Sequence, residues 1–83
     1  MDVEQLLTMA NQIGTFYESL PNRDEAIKST ANHIRRFWDP RMRRALFAHL
    51  DAHGWDELDP LPREAIERNR ATMEPRPASP SSS

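Results

Sequence analysis

The chain has no cysteine and only two glycines among its 83 residues. The lack of cysteine excludes disulfides and thiolate metal sites, and it fits a reducing compartment. Gly14 and Gly54 stand alone, so there is no glycine-rich phosphate loop. No apolar run approaches the roughly 18 residues of a membrane-spanning helix. The first residues are acidic, unlike the basic start of a signal peptide, and we therefore expect a cytoplasmic protein.

The composition indicates one small domain of limited stability. Hydrophobic residues make up 37% of the chain. A chain of this length buries only about 60% of the surface that its unfolded form exposes. Domains of this size often depend on a metal, a disulfide or a partner. The net charge of −2 also argues against general nucleic-acid binding.

Positive charge is concentrated in one segment. Residues 32–50 carry five arginines and one aspartate, a net charge of +4. Residues 1–31 carry five acids and two bases, and residues 51–83 carry seven acids and four bases, so each segment has a net charge of −3. The basic segment also contains Phe37 and Trp38. Arginine beside large aromatic rings is typical of recognition surfaces.

Capping signals and apolar periodicity predict an all-α fold, a small bundle of three to four short helices. The predicted helices span residues 2–19, Asn22 to about Trp38, Asp39 to Gly54, and Asp59 to about Met73. Pro21 ends the first helix, and the Asp39-Pro40 pair ends the second and opens the third. Residues 75–83 are proline- and serine-rich, which predicts a disordered tail after a helical domain of residues 1–74.

The apolar spacing predicts which side of each helix is buried. In the first helix the stripe comprises Val3, Leu6, Ala10, Ile13, Phe16, Tyr17 and Leu20. In the second it comprises Ala26, Ile27, Thr30, Ala31, Ile34, Phe37 and Trp38. In the third it comprises Met42, Ala45, Leu46, His49 and Leu50. Because Phe37 and Trp38 are adjacent, they cannot both point into one small core, and one of them should face solvent or a partner. Gly14 either admits another backbone closely or is simply tolerated.

The sequence offers little for catalysis or for metal binding. His49 and His53 are four residues apart, a spacing that suits a metal, but Asp51 lies off that face and His33 is on another helix. The serines lie in the middle of helices or in the tail, and the carboxylate pairs lie at helix starts, where capping explains them. We therefore predict no catalytic, cofactor or metal site in this chain.

The arginine cluster, residues 35–44, allows three interpretations: a solvated face, a nucleic-acid surface or a protein-docking surface. Arg41, Arg43 and Arg44 at a helix start oppose the helix dipole, which favours an acidic group nearby. In the docking interpretation Phe37, Trp38 and Met42 fill a pocket of the partner. The predicted partner-binding residues are Arg35, Arg36, Phe37, Trp38, Asp39, Pro40, Arg41, Met42, Arg43 and Arg44.

Two stretches are similar to a known family. Met9-Ala10-Asn11-Gln12-Ile13 followed by Phe16-Tyr17, and the stretch from His33 to Arg43, resemble the delta subunit of cytoplasmic NAD-dependent, molybdenum-containing formate dehydrogenases. The resemblance covers residues 2 to about 53, and residues 54–83 carry no recognised signal of the family.

The resemblance implies a non-catalytic accessory subunit that binds no cofactor of its own. It implies a large catalytic alpha subunit with bis-molybdopterin guanine dinucleotide and iron–sulfur clusters, and beta and gamma subunits with FMN, further clusters and the NAD site. The delta subunit would support assembly, stability or activity of that complex. The alternative is a small helix-turn-helix-like nucleic-acid or regulatory binding protein.

Overall fold

The computed structural model describes residues 2–74, which form four α-helices and no strand. The helices are α1 (Val3–Tyr17), α2 (Arg23–Phe37), α3 (Pro40–His53) and α4 (Pro60–Met73). The predicted all-α class is confirmed. The predicted tail of residues 75–83 lies outside the described residues. Within residues 2–74, the helices are too short and too polar to cross a bilayer.

Local side-chain hydrogen bonds explain where three of the helices begin. The Asp2 carboxylate accepts from the Glu4 backbone N–H at 3.0 Å, and the Asn22 side chain accepts from Glu25 N–H at 3.1 Å. Asp39 accepts from the Met42 N–H at 3.0 Å, with Pro40 in the first turn. Gly54 ends α3 with a φ of 91°, a left-handed value that costs glycine little. The predicted cap residues of α1, α2 and α3 are confirmed.

Helices α1, α2 and α4 pack on one another, and α2 and α4 share the most extensive contact. Helix α3 packs mainly on α1, because the chain turns sharply at Trp38 and Asp39. The core is a single cluster of apolar side chains from all four helices and from the segment before α4. Its fully buried members include Ile34, Leu46, Leu58, Leu61 and Ile66. The fourth helix is therefore a full member of the bundle.

The predicted apolar stripes are partly wrong in α1 and α3. In α1, Leu7 and Gly14 are buried, whereas Phe16 is 71% exposed. In α3, Phe47 is buried, although the spacing did not select it. Helix α1 meets α2, α3 and α4 at once, so its buried surface is wider than one stripe.

The Asn11 side chain fixes the start of α4 against α1. Its amide N–H donates to the Glu57 carbonyl at 3.0 Å, and its carbonyl accepts from the Asp59 backbone N–H at 2.8 Å. One carboxamide thus satisfies a donor and an acceptor of the segment before α4. This contact brings the first turn of α4 onto α1.

Gly14 lies where that first turn meets α1. A Cβ atom at this position would lie 2.6 Å from Pro62 Cδ and 3.1 Å from Pro62 Cγ. The proline ring is rigid and Pro62 is buried, so neither atom can move aside easily. Of the two explanations open from the sequence, the structure supports the close approach.

We expect Gly14→Ala to destabilise the protein even though alanine is the better helix former. Helix propensity would add about 1 kcal/mol of stability, but overpacking a filled contact typically costs about 1–3 kcal/mol. Chemical denaturation followed by circular dichroism would measure the difference. Thr8→Ala, on the exposed side of the same helix, is the control and should be neutral or stabilising. A Gly14→Ala protein more stable than the wild type would contradict the close contact.

Candidate functional site

An open groove of about 380 Å³ lies between α1 and the bend that joins α2 to α3. Helix α1 contributes the side chains of Met9, Gln12, Ile13, Phe16 and Tyr17. The opposite wall is formed by His33, Phe37, Trp38 and Met42. The lining is mostly apolar, and Gln12, Tyr17 and His33 contribute its polar side chains. The groove contains five residues of the first family-like stretch and four of the second.

Four rings in this groove form a continuous row. Phe16 and Tyr17 meet edge to face with their centroids 4.9 Å apart, and the Tyr17 hydroxyl lies 3.3 Å from His33 Nδ1. The His33 ring in turn lies 4.8 Å from the Phe37 ring. Both ends of the row are open to solvent, since Phe16 is 71% and Phe37 is 68% exposed. Two exposed aromatic rings that belong to one row make this groove the candidate interaction site.

Phe37 and Trp38 point in different directions, as their adjacency predicted. Trp38 is only 4% exposed and belongs to the core, while Phe37 is exposed. The backbone turns at Trp38, whose ψ of 134° leaves the helical region before Pro40. Trp38 is therefore placed as the base of the groove, and Phe37 is the ring that a second molecule could reach.

The five arginines of the cluster occupy different environments. Arg35, Arg36, Arg41 and Arg44 are exposed, and the Arg36 guanidinium carbon lies 5.8 Å from the centre of the Phe37 ring. Arg43 is instead partly buried, and its Nη1 donates to the Met73 carbonyl at 2.6 Å. Arg43 thus ties the start of α3 to the end of α4. Arg43 is one of the three basic residues at the start of α3, and this hydrogen bond gives it a role within the chain.

His49 and His53 lie on the other end of α3, away from the residues that line the groove. Their rings are 4.8 Å apart, and His49 Nε2 lies 2.9 Å from Glu57 Oε1. Across residues 2–74, no three histidine, aspartate or glutamate side chains are grouped as metal ligands. His49 instead connects α3 to the segment before α4.

Arg70 is the centre of a second charged cluster, between α3 and α4. Its guanidinium makes two hydrogen bonds of 2.7 Å to Asp51 and one of 2.6 Å to Glu74. The guanidinium carbon also lies 5.0 Å from the centre of the Phe47 ring. These hydrogen bonds raise the pKa of Arg70 above its ordinary value and hold the pKa of the Asp51 carboxyl below its own. The cluster fastens α3 to the bundle.

We expect Arg70→Gln to lower the free energy of unfolding near neutral pH. Because the pKa of Asp51 is depressed in the folded protein, its stabilising effect is present above the unfolded pKa of about 3.9 and is lost as the pH falls through the folded value. The difference between the wild type and Arg70→Gln should therefore shrink below about pH 4. Denaturation across a pH series would measure it.

Arg68→Gln is the matched control, since the Arg68 side chain is 55% exposed and its ion pairs lie on the surface. It should have little effect at any pH. If Arg70→Gln behaved like Arg68→Gln, the Arg70 cluster would not fasten α3.

Fold and site together define a small helical protein with an open aromatic groove and with the exposed Arg36 beside it. The chain belongs to the family of NADH-dependent formate dehydrogenase delta subunits (FdsD), whose family model matches residues 5–66. The match extends beyond the resemblance seen in the sequence and includes the segment before α4 and the first half of that helix. No curated protein and no solved structure matches the chain.

Proposed function

We propose that the chain is a non-catalytic accessory (delta) subunit of a cytoplasmic NAD-dependent formate dehydrogenase complex. It would dock on the large catalytic (alpha) subunit, in a complex that also contains beta and gamma subunits. The molybdenum cofactor, the iron–sulfur clusters, FMN and NAD would be bound by those other subunits. The observation that carries the proposal is the groove with two exposed aromatic rings, in a chain that belongs to the delta-subunit family.

Two accessible members of the predicted partner-binding set support docking through this face, since Phe37 lines the groove and the Arg36 guanidinium carbon lies 5.8 Å from the centre of its ring. Arg35, Arg36, Phe37, Arg41 and Arg44 are exposed, whereas Trp38 and Arg43 make contacts within the chain. Asp39 caps α3 and Pro40 begins it, so both shape the bend on which the exposed residues stand. We propose that the exposed residues contact the partner and that the others hold them in place.

The chemistry of the groove supports a binding role rather than a catalytic one. Among the described residues 2–74, the groove is lined by the polar groups of Gln12, Tyr17 and His33 and by no carboxylate or serine. The Tyr17 hydroxyl, 3.3 Å from His33 Nδ1, could orient this imidazole, but a general base also needs a positioned substrate from which water is excluded. The groove is open along its length, which suits a protein surface better than a small substrate.

Docking would act on the complex by mass action. A subunit that binds only the folded catalytic subunit stabilises the folded form by an amount that grows with concentration and affinity. The same linkage stabilises the small chain, which buries little surface on its own. Assembly, stability and activity of the complex could all depend on this one equilibrium.

The test is a pull-down with the tagged full-length chain from cells that express the whole complex. We expect the large catalytic subunit to be recovered with molybdenum and iron, whereas the chain purified alone should carry no metal or flavin and should not oxidise formate. Adding the catalytic subunit should also raise the melting temperature of the chain. The proposal would be overturned if the isolated chain oxidised formate, or if it held stoichiometric metal that the His49→Ala variant lost.

The nucleic-acid alternative has less support. Helices α2 and α3 are joined by only Trp38 and Asp39, whereas a helix-turn-helix uses a turn of about three to four residues. In addition, α2 and α3 pack mainly on other helices. The exposed arginines are the observation that favours this alternative. Binding to DNA and RNA across a series of salt concentrations would test it.

A further inference from the structure

We infer that the groove receives a segment of the catalytic subunit in which a bulky apolar side chain is flanked by carboxylates. The apolar side chain would pack on Phe16 and Phe37, and the carboxylates would pair with Arg36 and Arg41. This inference rests on the proposed function and adds the chemistry of the partner segment.

The apolar part follows from the groove itself. Phe16 and Phe37 stand more than two thirds exposed at the ends of the ring row, and Met42 lies on the wall between α2 and α3. The volume of about 380 Å³ is within the range of clefts that hold a ligand group. Methionine and aromatic side chains adapt well to an inserted apolar group. One large side chain of the partner would cover the rings.

The acidic part follows from how the chain distributes its ion pairs. Within residues 2–74, aspartate and glutamate side chains pair with Arg23, Arg68, Arg70 and His49. None of these ion pairs involves Arg35, Arg36, Arg41 or Arg44, which are exposed in the segment of net charge +4. Arg35 donates to a neutral partner, the Asn32 side-chain oxygen, at 3.1 Å. Of these four, Arg36 lies beside the groove, with its guanidinium carbon 5.8 Å from the centre of the Phe37 ring, and Arg41 directly precedes the groove residue Met42. Arg44 instead lines a second cavity with Arg70 and Glu74. The charges of Arg36 and Arg41 are therefore left for carboxylates of another molecule.

A second copy of this chain fits the groove poorly. In a two-fold symmetric dimer the same patch meets itself, so two segments of net charge +4 would face each other. Such like-charge contacts cost several kcal/mol. Nucleic acid could pair its phosphates with the arginines and stack unpaired bases on the rings, but the net charge of −2 of the whole chain disfavours it.

The experiment is photo-cross-linking in the assembled complex, with p-benzoylphenylalanine in place of Phe37 or, separately, of Phe16. The same residue in place of Glu67, which is exposed on α4 and does not line the groove, is the control. We expect positions 37 and 16 to cross-link to a catalytic-subunit peptide with a large apolar residue and neighbouring aspartates or glutamates. Position 67 should give little product.

Charge reversal tests the acidic part separately. Arg36→Glu and Arg41→Glu should each weaken association with the catalytic subunit by roughly tenfold or more, while Arg68→Glu should change it little. The bulky probe at positions 37 and 16 could prevent assembly while the probe at position 67 does not. In that case no cross-link can form, and these charge-reversal variants test the inference instead.

The failures can be told apart. A wild-type chain that recovers no catalytic subunit refutes the proposed function. The inference is wrong, and the proposed function stands, if the complex assembles but position 37 cross-links to a second copy, to another subunit, to a peptide without carboxylates or to nothing. Charge reversals at Arg36 and Arg41 that act no more strongly than Arg68→Glu refute the acidic part.

Discussion

Trp38→Ala should destabilise the isolated chain by about 3–5 kcal/mol, the usual cost of removing a buried large aromatic ring. Trp38 is 4% exposed in a core made of few side chains, so no other residue can fill the space that the indole leaves. Small domains have total stabilities near the low end of about 5–15 kcal/mol. The variant should therefore be largely unfolded, or should melt far below the wild type, when followed by circular dichroism.

Phe37→Ala is the matched comparison, because it removes the neighbouring ring from an exposed position. It should change the free energy of unfolding by no more than about 0.5 kcal/mol, as surface substitutions usually do. Equal destabilisation by the two variants would contradict the burial of Trp38 and the exposure of Phe37. The docking interpretation of the sequence placed Trp38 in a pocket of the partner, but its burial makes Trp38→Ala a test of folding.

The second large effect concerns binding. Phe37→Ala should weaken association with the catalytic subunit by about 2 kcal/mol, or roughly 30-fold, since truncating an aromatic at the centre of an interface has effects of that size. Phe16→Ala should weaken it in the same direction, because Phe16 lies at the other end of the ring row. Titration calorimetry with the purified catalytic subunit would give the dissociation constants.

Glu67→Ala provides the control for these titrations, since Glu67 is exposed and does not line the groove. Its dissociation constant should match that of the wild type. If Phe37→Ala bound as tightly as Glu67→Ala, the docking face would have to lie elsewhere on the chain.

Helix starts and ends could be predicted well because capping is a local property. Asp2, Asn22 and Asp39 each accept a hydrogen bond from a backbone N–H two or three residues further along. Gly54 ends α3 for an equally local reason, its positive φ. Such signals need no knowledge of the remaining fold.

The buried sides of α1 and α3 were harder to predict because they depend on distant elements. Leu7 and Phe47 are apolar in the sequence, but only the positions of the other helices show that both are buried. Asn11 appears as an ordinary polar helix residue until Glu57 and Asp59 are brought beside it. The role of Gly14 likewise needed the position of Pro62.

The candidate site was predicted in part. The arginine cluster and the adjacent rings are visible in the sequence as one charged and aromatic segment. The groove is not visible there, because one wall comes from Met9, Ile13 and Phe16, which precede the arginine cluster by 19 residues or more. The contribution of α1 could have been suspected only from the family-like stretch at residues 9–17.

The most direct measurement of the central claim is the affinity of the wild-type chain for the catalytic subunit and for DNA and RNA, each across a series of salt concentrations. We predict tight binding to the subunit that persists at high salt, because burial of Phe37 and Phe16 dominates it, and no appreciable binding to nucleic acid. Steeply salt-dependent binding to DNA or RNA, which would indicate contacts between arginines and phosphates, together with no binding to the catalytic subunit, would contradict the docking account.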